Sequence, residues 1–172
     1  MKFWLWLFRG TGKGPGVTRF LNRWLVGHVA VAVVFAFLDS IVLKDAANAV
    51  LLPLAGIFIG LCFAWGGNAQ ALLQTDELEN VAEHHPGGFV EYLYVYQTAI
   101  LVMLVTLTFW GIAGLGMLDT IWPTRQCLVA YRCIRGGLFF FASLTVRECW
   151  HVVLGAQSML LIRNELRRSR RK

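Results

Sequence analysis

The polar residues of the last long apolar stretch of the chain include Ser143, Arg147, Glu148, His151 and Ser158. On a helix turning about 100° per residue, Ser143, Arg147, His151 and Ser158 share a sector roughly 80° wide, with Glu148 beside it. An arginine in the middle of an apolar helix costs at least about 2.5–3.5 kcal/mol on insertion scales, so it must face a partner, a bundle interior or a water-filled path. Two roles fit the pattern: a buried ion pair that fixes helix register, or the charged lining of an ion path. The second is the expectation. Asp39 lies near the outer end of its own apolar stretch, at a different depth from Arg147. The simplest counter-charge for Arg147 is then Glu148 of a neighbouring copy, which implies a homo-oligomer. Nucleophilic catalysis is not expected. Ser143 is two turns from His151, beyond hydrogen-bond reach on one helix.

Two further pairs extend a polar lining, His28 with Asp39 and Gln97 with Thr108. Each pair has the same offset and falls nearly on one helical face. His28 is also close enough to the interface to snorkel, and Thr108 is able to bond its own backbone. Gly56, Gly60 and Ala64, four residues apart, make a smooth stripe that lets helix backbones approach closely in lipid, within one chain or between copies. Pro53 lacks a backbone donor and is expected to kink that helix.

Asp76, Glu77, Glu79 and Glu83 form an acidic segment within 74–91. It is a solvated connection, a carboxylate mouth that concentrates cations, or a dock for a soluble partner. Four cysteines are too few for a disulfide framework, and no Cys or His spacing indicates a metal site or cofactor. Cys62 and Cys149 fall inside apolar stretches and read as inert packing. Cys127 and Cys133 fall in a connecting loop. The glycine-rich GTGKGPG run after Arg9 lacks phosphate-loop spacing and follows no strand.

Elements that hold these residues are set by composition. The chain has 172 residues, 57% of them hydrophobic and 15% charged, against roughly 25% charged in an average soluble domain. Its mean hydropathy is +0.58. One all-α domain in a membrane absorbs that apolar excess. About 20 residues cross the hydrocarbon core, and four spans are expected, over about 25–43, 46–73, 92–118 and 136–162, with a short turn at Lys44 and Asp45. Residues 1–24 form an N-terminal segment whose first turns, with Trp4 and Trp6, lie at headgroup level. Residues 163–172 form a basic tail.

The net charge is +6, from 16 basic and 10 acidic residues. Lys2, Arg9, Lys13, Arg19 and Arg23 precede the first span, and Arg163, Arg167, Arg168, Arg170, Arg171 and Lys172 follow the last. Basic residues at both ends, with an even number of spans, put both termini in the cytoplasm. The charge is thus expected to serve the inner membrane of a bacterium rather than nucleic acid. Arg125, Arg132 and Arg135 before the fourth span run against this orientation.

In layout the chain resembles small multi-span effectors of bacterial phage-defence operons, such as the membrane effector of Hailong systems and the membrane accessory protein of CRISPR loci. The likeness lies in four spans, basic ends and the intramembrane Arg147 and His151. It implies an oligomeric pore or membrane-perturbing toxin controlled by a soluble partner. Arg147-Glu-Cys-Trp-His151 is shorter than the RNase-like Arg…His motif linked to the CRISPR-associated family and lies in an apolar helix, which argues against RNA cleavage. The expected function is a homo-oligomeric channel. The alternative is a membrane scaffold or sensor that recruits a soluble partner through 74–91. Reporter fusions after Arg9, residue 80 and Lys172 are expected to read cytoplasmic and those near Asp45 and Arg125 external; an external signal at residue 80 contradicts the four-span topology.

Overall fold

The computed structural model describes residues 3–9, 16–38, 42–73, 88–121 and 128–169, and among them every element is helical. Helix α1 (Phe3–Arg9) is followed by a 3-10 turn (Gly16–Phe20) and helix α2 (Arg23–Phe37). Helix α3 (Leu43–Ala46) runs through a π-helical stretch (Ala47–Leu51) into α4 (Leu52–Leu73). Helix α5 (Gly88–Gly114) turns at Leu115 and Gly116 into the short α6 (Met117–Ile121). Helix α7 (Leu128–Ser169) is the longest.

Two helices are long and apolar enough to cross a membrane: α5 over Tyr94–Gly114 and α7 over Leu128–Ser158. The bent run Leu43–Ala49 and Leu52–Ala64 makes a third if its two arms, 41° apart, form one span. The bend falls where Pro53 cannot donate to the carbonyl four residues earlier. Asn48 Nδ2 on the π-helical stretch donates to Gly114 O, 2.9 Å away, and ties the bend to the end of α5.

Several sequence expectations need correction. The first span was expected over 25–43, but α2 has 15 residues, about 22 Å of helix against roughly 30 Å of hydrocarbon. Asn22 Oδ1 accepts from the Trp24 N–H and starts it, and Leu38 has left helical geometry at φ −78° and ψ 82°. Lys44 and Asp45 are not a turn; they lie in the first turn of α3. The fourth helix begins at Leu128 rather than 136, so Arg132, Cys133 and Arg135 are helical and not loop residues. With 42 residues, α7 is about 63 Å long, twice the hydrocarbon thickness.

Helices α2, α4 and α5 all pack against α7. His28 meets Ser143 and Ala36 meets Arg135, so α2 runs antiparallel to α7. Trp110 meets Phe139 and Thr106 meets Thr145, so α5 also runs antiparallel to it. Leu43, Ala47, Trp110, Ala113, Tyr131 and Leu138 pack together at one end. Cys62, Ala99, Met103, Cys149 and Val152 form a second apolar cluster further along α7. Trp6 on α1 turns inward. It is 1% exposed, with its ring 5.4 Å from that of Tyr94 on α5. Trp4, Leu5 and Phe8 form the exposed face of α1. Trp24 is exposed as an interfacial aromatic requires, whereas Tyr94 is buried.

A close approach of α2 to α7 falls at Gly136 and not at the expected glycines. A methyl group on Gly136 would stand 3.0 Å from Ala32 O and 3.2 Å from Ala36 Cβ, so α2 and α7 touch through small residues. Gly56 and Gly60 have open space where a side chain would project, and both, with Ala64, are exposed. Gly136→Leu is therefore expected to push α2 off α7 and destabilise the protein by about 1–3 kcal/mol, while Gly60→Leu leaves the single-chain fold unchanged. Thermal unfolding of both variants in detergent checks this; equal Tm loss in the two contradicts it.

Candidate functional site

The site is built where α2 meets the middle of α7. His28 is buried on α2, and its Nδ1 lies 2.7 Å from Ser143 Oγ. The Phe140 ring stands edge-on to the imidazole at 6.2 Å. One turn beyond Ser143, Arg147 Nη1 lies 3.9 Å from Glu148 Oε1. Glu148 has no exposed side-chain surface and Arg147 has 11%. Ser143 and Arg147, four residues apart, share one face of α7. The imidazole, hydroxyl, guanidinium and carboxylate therefore form one cluster drawn from two helices.

The pairing of Arg147 and Glu148 within one chain differs from the expected pairing between copies. Adjacent helical residues point about 100° apart, but long side chains bend toward each other when the surroundings are apolar. Several kcal/mol per ion would be lost if each stood alone in a low-dielectric interior. The Nε and Nη1 atoms of Arg147 and Nε2 of His28 are buried without a hydrogen-bond acceptor or donor beside them. Such atoms are costly to bury dry, about 1–3 kcal/mol each. Of the three, only His28 Nε2 can accept a proton; the two Arg147 atoms are donors.

The other predicted residues separate into those near the cluster and those apart from it. His151 is half-buried one turn past Arg147. Ser158 is exposed, and its hydroxyl donates to Leu154 O on its own helix. It shares the outer face of α7 with Val146, Trp150 and Leu154. Gln97 on α5 is half-buried with Oε1 enclosed. Thr108 is exposed and donates to Leu104 O at 2.9 Å, the local bond open to it. Asp39 and the acidic residues Asp76, Glu77, Glu79 and Glu83 lie outside the described residues.

Three polar residues with no place in the expected site are buried on the same helices. Arg135 is 1% exposed; its Nη2 donates to Ala36 O at the end of α2, and its guanidinium lies 5.7 Å from the centre of the Tyr131 ring. Thr106 and Thr145 bring their hydroxyls to 2.8 Å across α5 and α7. Each also donates to the carbonyl four residues earlier, a bond that lets hydroxyls sit in apolar helices. The signal for Arg135 was the uninterrupted helical sequence from Leu128. A charge count treats such an arginine as a flank, while helix continuity carries it inward. Arg132 lies 5.3 Å from the Phe37 ring centre, so two arginines of α7 hold the end of α2 through its carbonyl and its last aromatic.

No protein-family model, curated protein or solved structure matches the chain. Among the described residues, no three of His, Cys, Asp and Glu come together as metal ligands. The cluster is a buried acid, base and hydroxyl in an apolar bundle, suited to holding or relaying charge.

Glu148→Ala strips the carboxylate from Arg147, and leaving one ion of a buried pair alone costs about 3–5 kcal/mol. Arg147→Met with Glu148→Leu removes both ions and is expected to unfold at a higher temperature than Glu148→Ala alone. A double-mutant cycle from thermal unfolding in detergent measures this; additive losses contradict a coupled pair.

Proposed function

We propose that this protein is an ion channel of the bacterial inner membrane, assembled from identical chains, whose conducting element is the His28, Ser143, Arg147 and Glu148 cluster. The observation that carries the proposal is the 2.7 Å His28–Ser143 contact beside the buried Arg147–Glu148 pair. Ionisable side chains inside membrane helices mark ion or proton paths because their burial is otherwise too costly to keep. His28 supplies a group able to gain and lose a proton, and the Arg147–Glu148 pair sets the field it works in.

In this reading the bent α3–α4 run, α5 and α7 cross the membrane and the shorter α2 makes a fourth crossing by local thinning of the bilayer, with both termini cytoplasmic. The alternating directions of α2, α5 and α7 support it, as do the basic residues at both ends. Gly56, Gly60 and Ala64 face away from their own bundle and offer a smooth surface for a second copy. The path runs through each bundle rather than between α7 helices of neighbouring chains, because the charged pair is covered by its own chain. A channel kept closed by a soluble partner and opened on infection fits the layout shared with phage-defence effectors.

Liposome ion-flux measurements on the purified chain, with its soluble partner present, test this. Wild-type protein is expected to conduct, with a dependence on pH that His28→Ala removes and Ser143→Ala weakens by roughly tenfold. Gly60→Leu is expected to shift the detergent-extracted protein to smaller assemblies. An impermeable wild-type preparation contradicts the channel, and pH-dependent flux unchanged in His28→Ala contradicts the cluster as its conducting element.

A further inference from the structure

Cys62, Cys149 and Met103 place three sulfur-bearing side chains in one apolar cluster, with Cys149 next to Glu148 in the chain. Cys62 is on α4, Met103 on α5 and Cys149 on α7, and all three are buried in one cluster. Cys149 Sγ lies 4.0 Å from Met103 Sδ. We propose that these three residues form a binding site for a cuprous ion, Cu(I), at the meeting point of the three helices.

Soft thiolate and thioether donors favour Cu(I) over hard or borderline cations. Three sulfurs around one ion, with metal–sulfur bonds of about 2.3 Å, stand roughly 4 Å apart. The Cys149–Met103 separation already has that value. A Zn(II) site normally takes four nitrogen, sulfur or oxygen donors in a tetrahedron, whereas the donors gathered here are three sulfurs, one of them a neutral thioether. The shell around them is fixed. Tyr96 Oη donates to Cys62 O at 2.9 Å and holds the α4 backbone beside the ligand. A methyl group on Gly66 would overlap that hydroxyl at 1.8 Å, so glycine at this position is what admits the Tyr96 ring. Outer hydrogen bonds of this kind orient metal ligands.

Loading is redox-neutral. Cu(I) bonds to both cysteine sulfurs, the two S–H bonds break, and two protons pass to solvent. Met103 donates a lone pair and loses nothing. The ion would clamp α4 and α5 onto α7, because each helix supplies one ligand.

The full chain, purified in detergent and kept reduced, is given Cu(I) in competition with a chromogenic cuprous chelator. It is expected to retain about one ion per chain, with only sulfur donors in the X-ray absorption spectrum. Cys62→Ser and Cys149→Ser are expected to lose that ion. Met103→Leu preserves apolar volume, so its expected affinity loss of about tenfold or more reads ligation rather than folding. The proposal is overturned if wild type retains no Cu(I), if the cysteine variants retain it equally, or if Met103→Leu binds as wild type does. A Cys62–Cys149 disulfide in the reduced preparation, with no Cu(I) bound, overturns it as well.

Discussion

A guanidinium and a carboxylate on a helix that crosses hydrocarbon must be solvated by the protein itself, and the bundle is arranged around that requirement. Arg147 and Glu148 lie in the apolar stretch Leu128–Ser158 of α7. Lipid offers them no hydrogen bonds, and each ion left alone in the interior would lose several kcal/mol. The pair closes to 3.9 Å within its own chain, and Glu148 is covered completely. Covering it takes neighbours on several sides of one helix, which is why α2, α4 and α5 all pack on α7. The same covering places His28 against Ser143 and so creates the cluster.

A helix with neighbours on several sides needs close contacts, and these fall where small or hydroxyl side chains permit them. Gly136 admits Ala32 and Ala36. Thr106 and Thr145 bring their hydroxyls to 2.8 Å across α5 and α7. At one end, Arg135 bonds the last carbonyls of α2 and Asn48 bonds the end of α5. Further along α7, Gly66 admits Tyr96, whose hydroxyl bonds the α4 backbone. The Arg135, Asn48 and Tyr96 bonds each join a side chain of one helix to the backbone of another. Such bonds fix helix position in a membrane, where water does not compete for the exposed carbonyls. The outer surface that remains is apolar: Val26, Val33 and Phe37 on α2 and Val146, Trp150 and Leu154 on α7.

Much of the helical layout was legible in the sequence because hydropathy reports apolar length directly. The third stretch, expected over 92–118, is helix Gly88–Gly114, ended by Gly116 at φ 75°. The grouping of Ser143 with Arg147 and Glu148 followed from spacing alone. The partner of the stripe did not, because helical periodicity gives a direction around one axis and says nothing of which helix stands there. Arg147 and Glu148 pair in one chain, and His28 supplies the facing group. The Gly56–Gly60–Ala64 pattern was visible because it lies on one helix, whereas the approach of Gly136 to Ala32 and Ala36 is divided between two. The partner of Trp6 was hidden for a similar reason. An amphipathic segment has an apolar face whether that face meets lipid or Tyr94.

The inward facing of the charged helix is tested most directly by disulfide trapping in native membranes. His28→Cys and Ser143→Cys are combined in a chain whose four natural cysteines are alanine, and a mild oxidant is added. The structure predicts rapid crosslinking within one chain, seen as a faster-migrating monomer band that reductant reverses. A crosslinked dimer, or no crosslink while Ala36→Cys with Gly136→Cys crosslinks readily, would contradict a His28–Ser143 contact inside the bundle and return the polar stripe to a face between copies.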